Sequence, residues 1–151
     1  MASKQSKPIG IELVRKGVVT EDDINRALEY QKDHTDQKIG DILKELELCD
    51  PNVLIQAIGE ILDEKAINLT ADDIEIDILN YISLDVAKQN KAVPFAVEGG
   101  KIKVCFPDTT DKRVVNAVRL LFLNRGLVMD RYITFSSNIE SILLSLEGAA
   151  S

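Results

Sequence analysis

One histidine, two cysteines and no apolar run near the roughly 20 residues of a membrane span mark this 151-residue chain by what it lacks. His34, standing alone, gives a histidine metal cluster or a Ser-His-Asp triad little to draw on. Cys49 and Cys105 stand far apart in apolar surroundings, too few and too distant for a disulfide framework or a metal site, so both read as core thiols. No Gly-x-x-x-x-Gly-Lys-Ser/Thr phosphate loop occurs, which removes ATP hydrolysis by this chain alone. With no nucleophile–base pair around His34 either, the expectation is no catalytic residue, no metal residue and no enzyme. The opening stretch, residues 1–7, is polar and lacks the apolar heart of a signal peptide, so a cytoplasmic location is expected. A basic surplus is missing too. The net charge is −7, with 9 Lys/Arg against 18 Asp/Glu over residues 1–82 and 9 against 7 over residues 83–151. An acidic front half lacks the stripe of cations that displaces phosphate counterions, which argues against a nucleic-acid scaffold.

What is present is an ordinary globular composition, 45% hydrophobic and 28% charged, organised by an internal repeat. Pro8-Ile9-Gly10 recurs thirty positions later as Lys38-Ile39-Gly40. Leu13 then matches Leu43, Val18 matches Leu48, Ile24 matches Leu54, Ala27 matches Ala57 and Leu28 matches Ile58. Each copy, 7–31 and 38–61, reads as helix, turn, helix. Gly17 supplies the left-handed backbone that ends the first helix. Thr20 caps the next one, with Asp23 placed to reach back, and Ile24, Ala27, Leu28 and Gln31 share a face. In the second copy Asp50 is the cap and Pro51 the first helical residue. Two readings stand for the paired Ile-Gly steps. Helix starts carry free N–H groups that attract phosphate, so two of them suit a two-phosphate ligand; equally, the glycines relieve crowding between helices.

Residues 62–82 read as an acidic connection with a short helix at Ile78–Tyr81. Residues 83–151 read as a separate α+β unit. Ser83 caps a helix from Leu84 to Gln89, and Ala92–Val97 and Lys101–Phe106 flank Gly99-Gly100 as a hairpin, with Pro94 on an edge strand. A turn at 107–111 feeds a helix carrying Val115, Val118 and Phe122. A third strand at Leu127–Phe135 and a helix at Ser137–Leu146 follow, with Glu147–Ser151 as a linker or free end. The fold class expected is α+β: a helical subdomain of two repeated helix-turn-helix units over 1–61, then a small αββαβα subdomain over 83–151. Asp108 and Asp111 read as turn and cap residues rather than an acid–base pair. Lys112, Arg113, Arg119, Arg125 and Arg131 read as solvated cations, and Ile139, Ile142, Leu143 and Leu146 as core.

These residues resemble the N-terminal domain of type II secretion and type IV pilus assembly ATPases, including the subset whose tandem motifs bind cyclic di-GMP. The first copy fits that motif at Ile9, Gly10, Leu13, Val14, Gly17, Val18, Val19, Ile24, Leu28 and Gln31. The second fits at Ile39, Gly40, Leu43, Leu48, Leu54 and Ile58. The hairpin from Lys91 to Asp111 fits as well. The motif's leading arginine is Pro8 in one copy and Lys38 in the other, Glu47 replaces its central glycine, and Ile61 its closing glutamine. The resemblance implies a regulatory and docking domain, with cyclic di-GMP as its ligand and no certain cofactor. The ligand contacts it implies are Lys7, Ile9, Gly10, Gln31, Lys38, Ile39, Gly40 and Asp41. The implied partners are an assembly ATPase motor domain, in cis or trans, and an inner-membrane platform protein, which places the chain in the cytoplasm or at the inner-membrane surface. The competing implication is an adaptor that tethers an ATPase to the platform protein without nucleotide.

Overall fold

The computed structural model describes residues 9–108 and 110–150. The chain divides into two compact units, with the boundary between Ala66 and Ile67.

The described elements of the first unit are helices: α1 (Ile9–Arg15), α2 (Glu21–Lys32), α3 (Ile39–Glu45) and α4 (Pro51–Leu62). Local chemistry sets their ends. Gly17, at φ +77°, closes α1 while Gly17 N–H donates to Val14 and Val18 N–H to Leu13, the paired bonds that satisfy a helix's last carbonyls. Glu47, at φ +56°, does the same for α3, with bonds to Lys44 and from Leu48 to Leu43. Thr20 caps α2 in a reciprocal box with Asp23, and Asp50 caps α4 through the N–H groups of Asn52 and Val53. The thirty-residue repeat is therefore a repeat of backbone as well as of side chains. The helices pair across the copies: α1 packs on α4, α2 on α3, and α1 on α3. Leu13, Leu43, Leu54 and Ile58 are fully buried between them. Leu28 departs from expectation at 46% exposed, where its counterpart Ile58 is at 0%. The reason is that α4 packs on both α1 and α3 and buries a wider face.

The second unit has two short 3-10 helices (Ala71–Asp73, Ile78–Asn80), α5 (Leu84–Asn90), β1 (Val93–Glu98), β2 (Lys101–Pro107), α6 (Lys112–Leu123), β3 (Val128–Thr134) and α7 (Ser136–Ala150). The sheet order is β1-β2-β3. β1 and β2 are an antiparallel hairpin with a register shift between Pro94 and Ala96, while β2 and β3 run parallel from Lys101↔Val128 to Pro107↔Thr134. A parallel pair needs a crossover, and α6 is that crossover. Phe106, Phe122 and Phe135 anchor the core.

Residues 67–82, expected as a connection, lie within this unit. Ile67 N–H donates to Ile133 on one edge strand (3.0 Å), and Glu75 N–H donates to Phe95 on the other (2.8 Å). Leu69 N–H meets the buried hydroxyl of Thr134 (3.2 Å), and Asn138 Nδ2 reaches Asn68 Oδ1 (2.7 Å) and the Leu69 carbonyl (3.0 Å). The segment thus straps from edge to edge, which covers strand groups that would otherwise invite pairing with another chain. Two further expectations change. α7 runs through Ala150 instead of ending near Leu146, because alanines prolong a helix and Lys88 pairs with Glu147 at 3.2 Å. Arg125 is no loose cation; its guanidinium donates to the carbonyls of Tyr81 and Asn80.

Candidate functional site

The paired Ile-Gly steps occupy the same place in two seven-residue helices, Gly10 as the second residue of α1 and Gly40 as the second residue of α3. A Cβ built on Gly10 meets Ile24 Cδ1 at 3.3 Å and Cγ2 at 3.4 Å, so α1 approaches α2 closely there. Gly40 is buried. Lys38 sits at the N-cap of α3 in extended conformation, φ −91° and ψ 159°, with no side-chain cap bond, and its side chain is exposed. Ile39 and Asp41, in the first turn of α3, are half-buried. Lys7, Pro8 and Thr109 lie outside the described residues.

Gln31 is drawn to this entrance. Its Nε2 donates to the carbonyl of Gln37 at 2.9 Å, the residue just before Lys38, while Gln37 Oε1 is buried without a hydrogen-bond partner. The structure therefore gathers Gln31, Lys38, Ile39, Gly40 and Asp41 around the start of α3, with Ile9 and Gly10 on the neighbouring α1. Beside them stands a set of residues that sequence reading passed over. Tyr30 donates its hydroxyl to Glu45 Oε2 at 2.5 Å and stacks on His34 with ring centroids 3.9 Å apart, and His34 Nδ1 meets the Tyr30 carbonyl at 2.9 Å. The hydrogen bond to Glu45 holds the neutral phenol and raises the Tyr30 pKa. Lys44 is pushed down by burial, with Asp41 and Glu45 opposing. The one available signal for Tyr30 was the thirty-residue shift, which matches it to Glu60, and Glu60 forms the corresponding tie on the other side, an ion pair with Lys16 at 3.0 Å.

Among the described residues two clefts stand out in this unit. One, of about 220 Å³, lies between α1 and α2 and is lined by Gly10, Ile11, Val14, Glu21, Ile24 and Asn25. The other, of about 560 Å³, lies between Lys16, Val18 and the outer face of α4 at Val53 and Gln56. Drug-sized ligands usually occupy roughly 300–1,000 Å³, so the cleft that touches the expected residues is small and the larger one touches none of them.

Elsewhere the chemistry is structural. Asp111 caps α6 by accepting from Arg113 N–H at 2.8 Å, and that bond, then the Arg113 guanidinium, hold its carboxyl below the ordinary range. Burial pushes both thiols up, Cys105 fully buried and Cys49 half-buried. Among the described residues no group of three His, Cys, Asp or Glu is placed to hold a metal ion, and no helix is long and apolar enough to cross a membrane.

A model of the MshEN domain matches residues 62–151. The type IV pilus assembly ATPase PilB of Thermus thermophilus is 26% identical over 133 residues, which cover 87% of this chain and 14% of that protein. The chain therefore spans about one seventh of that relative's length. Among solved structures, MshE with cdg superposes with a TM-score of 0.62 at 21% identity, covering 91% of this chain and 96% of that one. The N-terminal domain of XpsE superposes with a TM-score of 0.54 at 20% identity, covering 90% and 91%. At such identities the two structures speak for the fold, a mixed α+β architecture of helices and a three-stranded sheet.

Proposed function

The chain belongs to the MshEN domain family, and from that premise we propose that it is a regulatory and docking domain of a secretion or pilus assembly ATPase which senses cyclic di-GMP through its duplicated helical unit. The observation that carries this reading is the duplication itself. Two short helices with an Ile-Gly step at the same place pack on each other, α1 on α3, within a unit whose backbone repeats where each of these helices ends and where the next is capped. A ligand with two phosphates and two guanines is itself two-fold, so a two-fold pair of entrances suits it. The proposed contacts are Ile9, Gly10, Gln31, Lys38, Ile39, Gly40 and Asp41, with Lys7 beside them. In this reading Lys38 supplies a point charge where arginine would fork and stack. The likeness to MshE, solved with cdg, supports the choice of ligand. The proposed partner is an ATPase motor domain, and the proposed place is the cytoplasm or its membrane face.

Titrating the purified chain with cyclic di-GMP tests this. Saturable shifts of the Gly10 and Gly40 amides are expected, and a Lys38→Ala variant, altered at an exposed position, is expected to bind about tenfold more weakly, the loss of one charge-assisted contact. Gly40→Arg should abolish the shifts while the second unit's amides stay in place. Silence at millimolar nucleotide would end the sensor reading.

A second reading has its own observation. The family match falls on residues 62–151, which lie outside the duplicated motifs. That favours an adaptor, one that ties an ATPase to the cytoplasmic part of an inner-membrane platform protein without nucleotide. Retention of the platform protein's cytoplasmic domain by a chain that ignores cyclic di-GMP would select it.

A further inference from the structure

The two halves of the duplicated unit are alike in backbone and unlike in how firmly they are seated. α3 buries Gly40, Ile42 and Leu43, and the first copy reaches over to hold it: Gln31 Nε2 grips the Gln37 carbonyl at its entrance, and Tyr30 grips Glu45 at its end. α1 buries Leu13 and leaves Ile11 55% exposed. Its tie to α4 is the Lys16–Glu60 pair, between side chains 36% and 68% exposed, the kind of contact that solvent and salt weaken. Among the described residues one cleft borders α1 at Gly10, Ile11 and Val14, and another opens just past its end at Lys16. Space along its face toward α2, space just past its end and a shallow seat are the physical conditions for an element that shifts as a body. We infer that α1 is the moving half of the paired entrances and α3 the preset half, with Gln31 as the positioning residue that presets it. Its bearing on ligand capture rests on the nucleotide reading: the cleft at Gly10 is small as it stands, and a displacement of α1 about Leu13 is what opens it. A ligand then biases the position of α1 by as much as it prefers the opened arrangement.

Hydrogen exchange on the full chain tests this at matched bonds. Lys16 N–H donates to Glu12 and Val18 N–H to Leu13; thirty residues on, Leu46 N–H donates to Ile42 and Leu48 N–H to Leu43, all at 2.9–3.1 Å. In the ligand-free protein the protection factors of Lys16 and Val18 are expected to be at least tenfold below those of Leu46 and Leu48. Gln31→Glu, which removes the donor, should lower Leu46 and Leu48 toward the α1 values, and Gln31→Lys, which keeps a donor, should restore them. Val104 in the second unit serves as the control for folding. Equal protection of the two pairs in the free chain overturns the inference whatever the ligand does. If the asymmetry is present and saturating cyclic di-GMP protects Lys16 and Val18 more than Leu46 and Leu48, both ideas stand. If the asymmetry is present and millimolar cyclic di-GMP changes nothing, the seating of α1 stands and the nucleotide reading alone falls.

Discussion

Glu47 carries a conformation that its residue type disfavours. The second copy has a glutamate where the first has Gly17, yet the backbone turns left-handed in both, φ +56° and φ +77°, because both helices end in the same bonded turn. A non-glycine residue there costs about 1–2 kcal/mol. Glu47→Gly is therefore expected to stabilise the first unit by about 1 kcal/mol after glycine's greater unfolded-state freedom is counted, and Gly17→Ala to destabilise it by about as much; urea unfolding measures both. Tyr30 makes a pH-dependent prediction. Its neutral phenol is the donating form, and Glu45 raises its pKa above the ordinary 10.0, so the contribution is fully present below pH 10 and is lost as pH rises through the raised value. Tyr30→Phe should lower the Tm at pH 7, and the gap to the parent should close in strongly alkaline buffer. A parallel difference at all pH values would show that the bond to Glu45 contributes nothing. The thiols give a simpler reading: Ellman's reagent at pH 7 should label Cys49 slowly and leave Cys105 untouched until the chain unfolds.

At the scale of elements, α4 meets the end of its own unit at Gly59. A Cβ there would sit 2.7 Å from the Glu64 carbonyl oxygen and 2.8 Å from Ala66 Cβ, and Gln56 Nε2 fixes the Ala66 carbonyl at 2.7 Å. Glycine to alanine inside a helix normally adds stability. Here Gly59→Ala is expected to cost about 1–3 kcal/mol, since the obstruction is backbone and cannot rotate away. Exchange protection should fall throughout α4 and stay unchanged at Val104 and Ile133. Helix caps were legible in the sequence at Thr20, Asp50, Ser83 and Asp111, and the structure has each of them. A cap is a contact two or three residues long, so its whole signal lies in a short window. The strap at 67–75 was not legible. It reads as an acidic loop because its partners, Ile133, Thr134 and Phe95, lie 20 to 66 residues away and leave no mark on local composition.

For the whole molecule, charge decides what it avoids. With a net charge of −7 and an acidic front half, the chain should not retard duplex DNA at physiological salt even at about 100 µM protein, where a basic scaffold would. A gel shift under those conditions would contradict the charge argument and reopen nucleic acid as a partner. The chain belongs instead to the MshEN domain family, and it shares its fold with MshE and the N-terminal domain of XpsE.

Sequence by itself determined the duplication, the helix caps at Thr20, Asp50, Ser83 and Asp111, the hairpin around Gly99-Gly100 and the α+β order of the second unit, because all of these are written in periods and caps that span a few residues. It also placed Gln31 at the close of the first copy and Lys38-Ile39-Gly40 at the opening of the second. Tertiary structure alone decided that α1 packs on α4 and α2 on α3, so that each copy is completed by the other. It alone set Tyr30 on Glu45 and Gln31 on Gln37. Apolar matches report which faces are buried but carry no record of which partner buries them, and that choice is made only when the helices of both copies compete for one core.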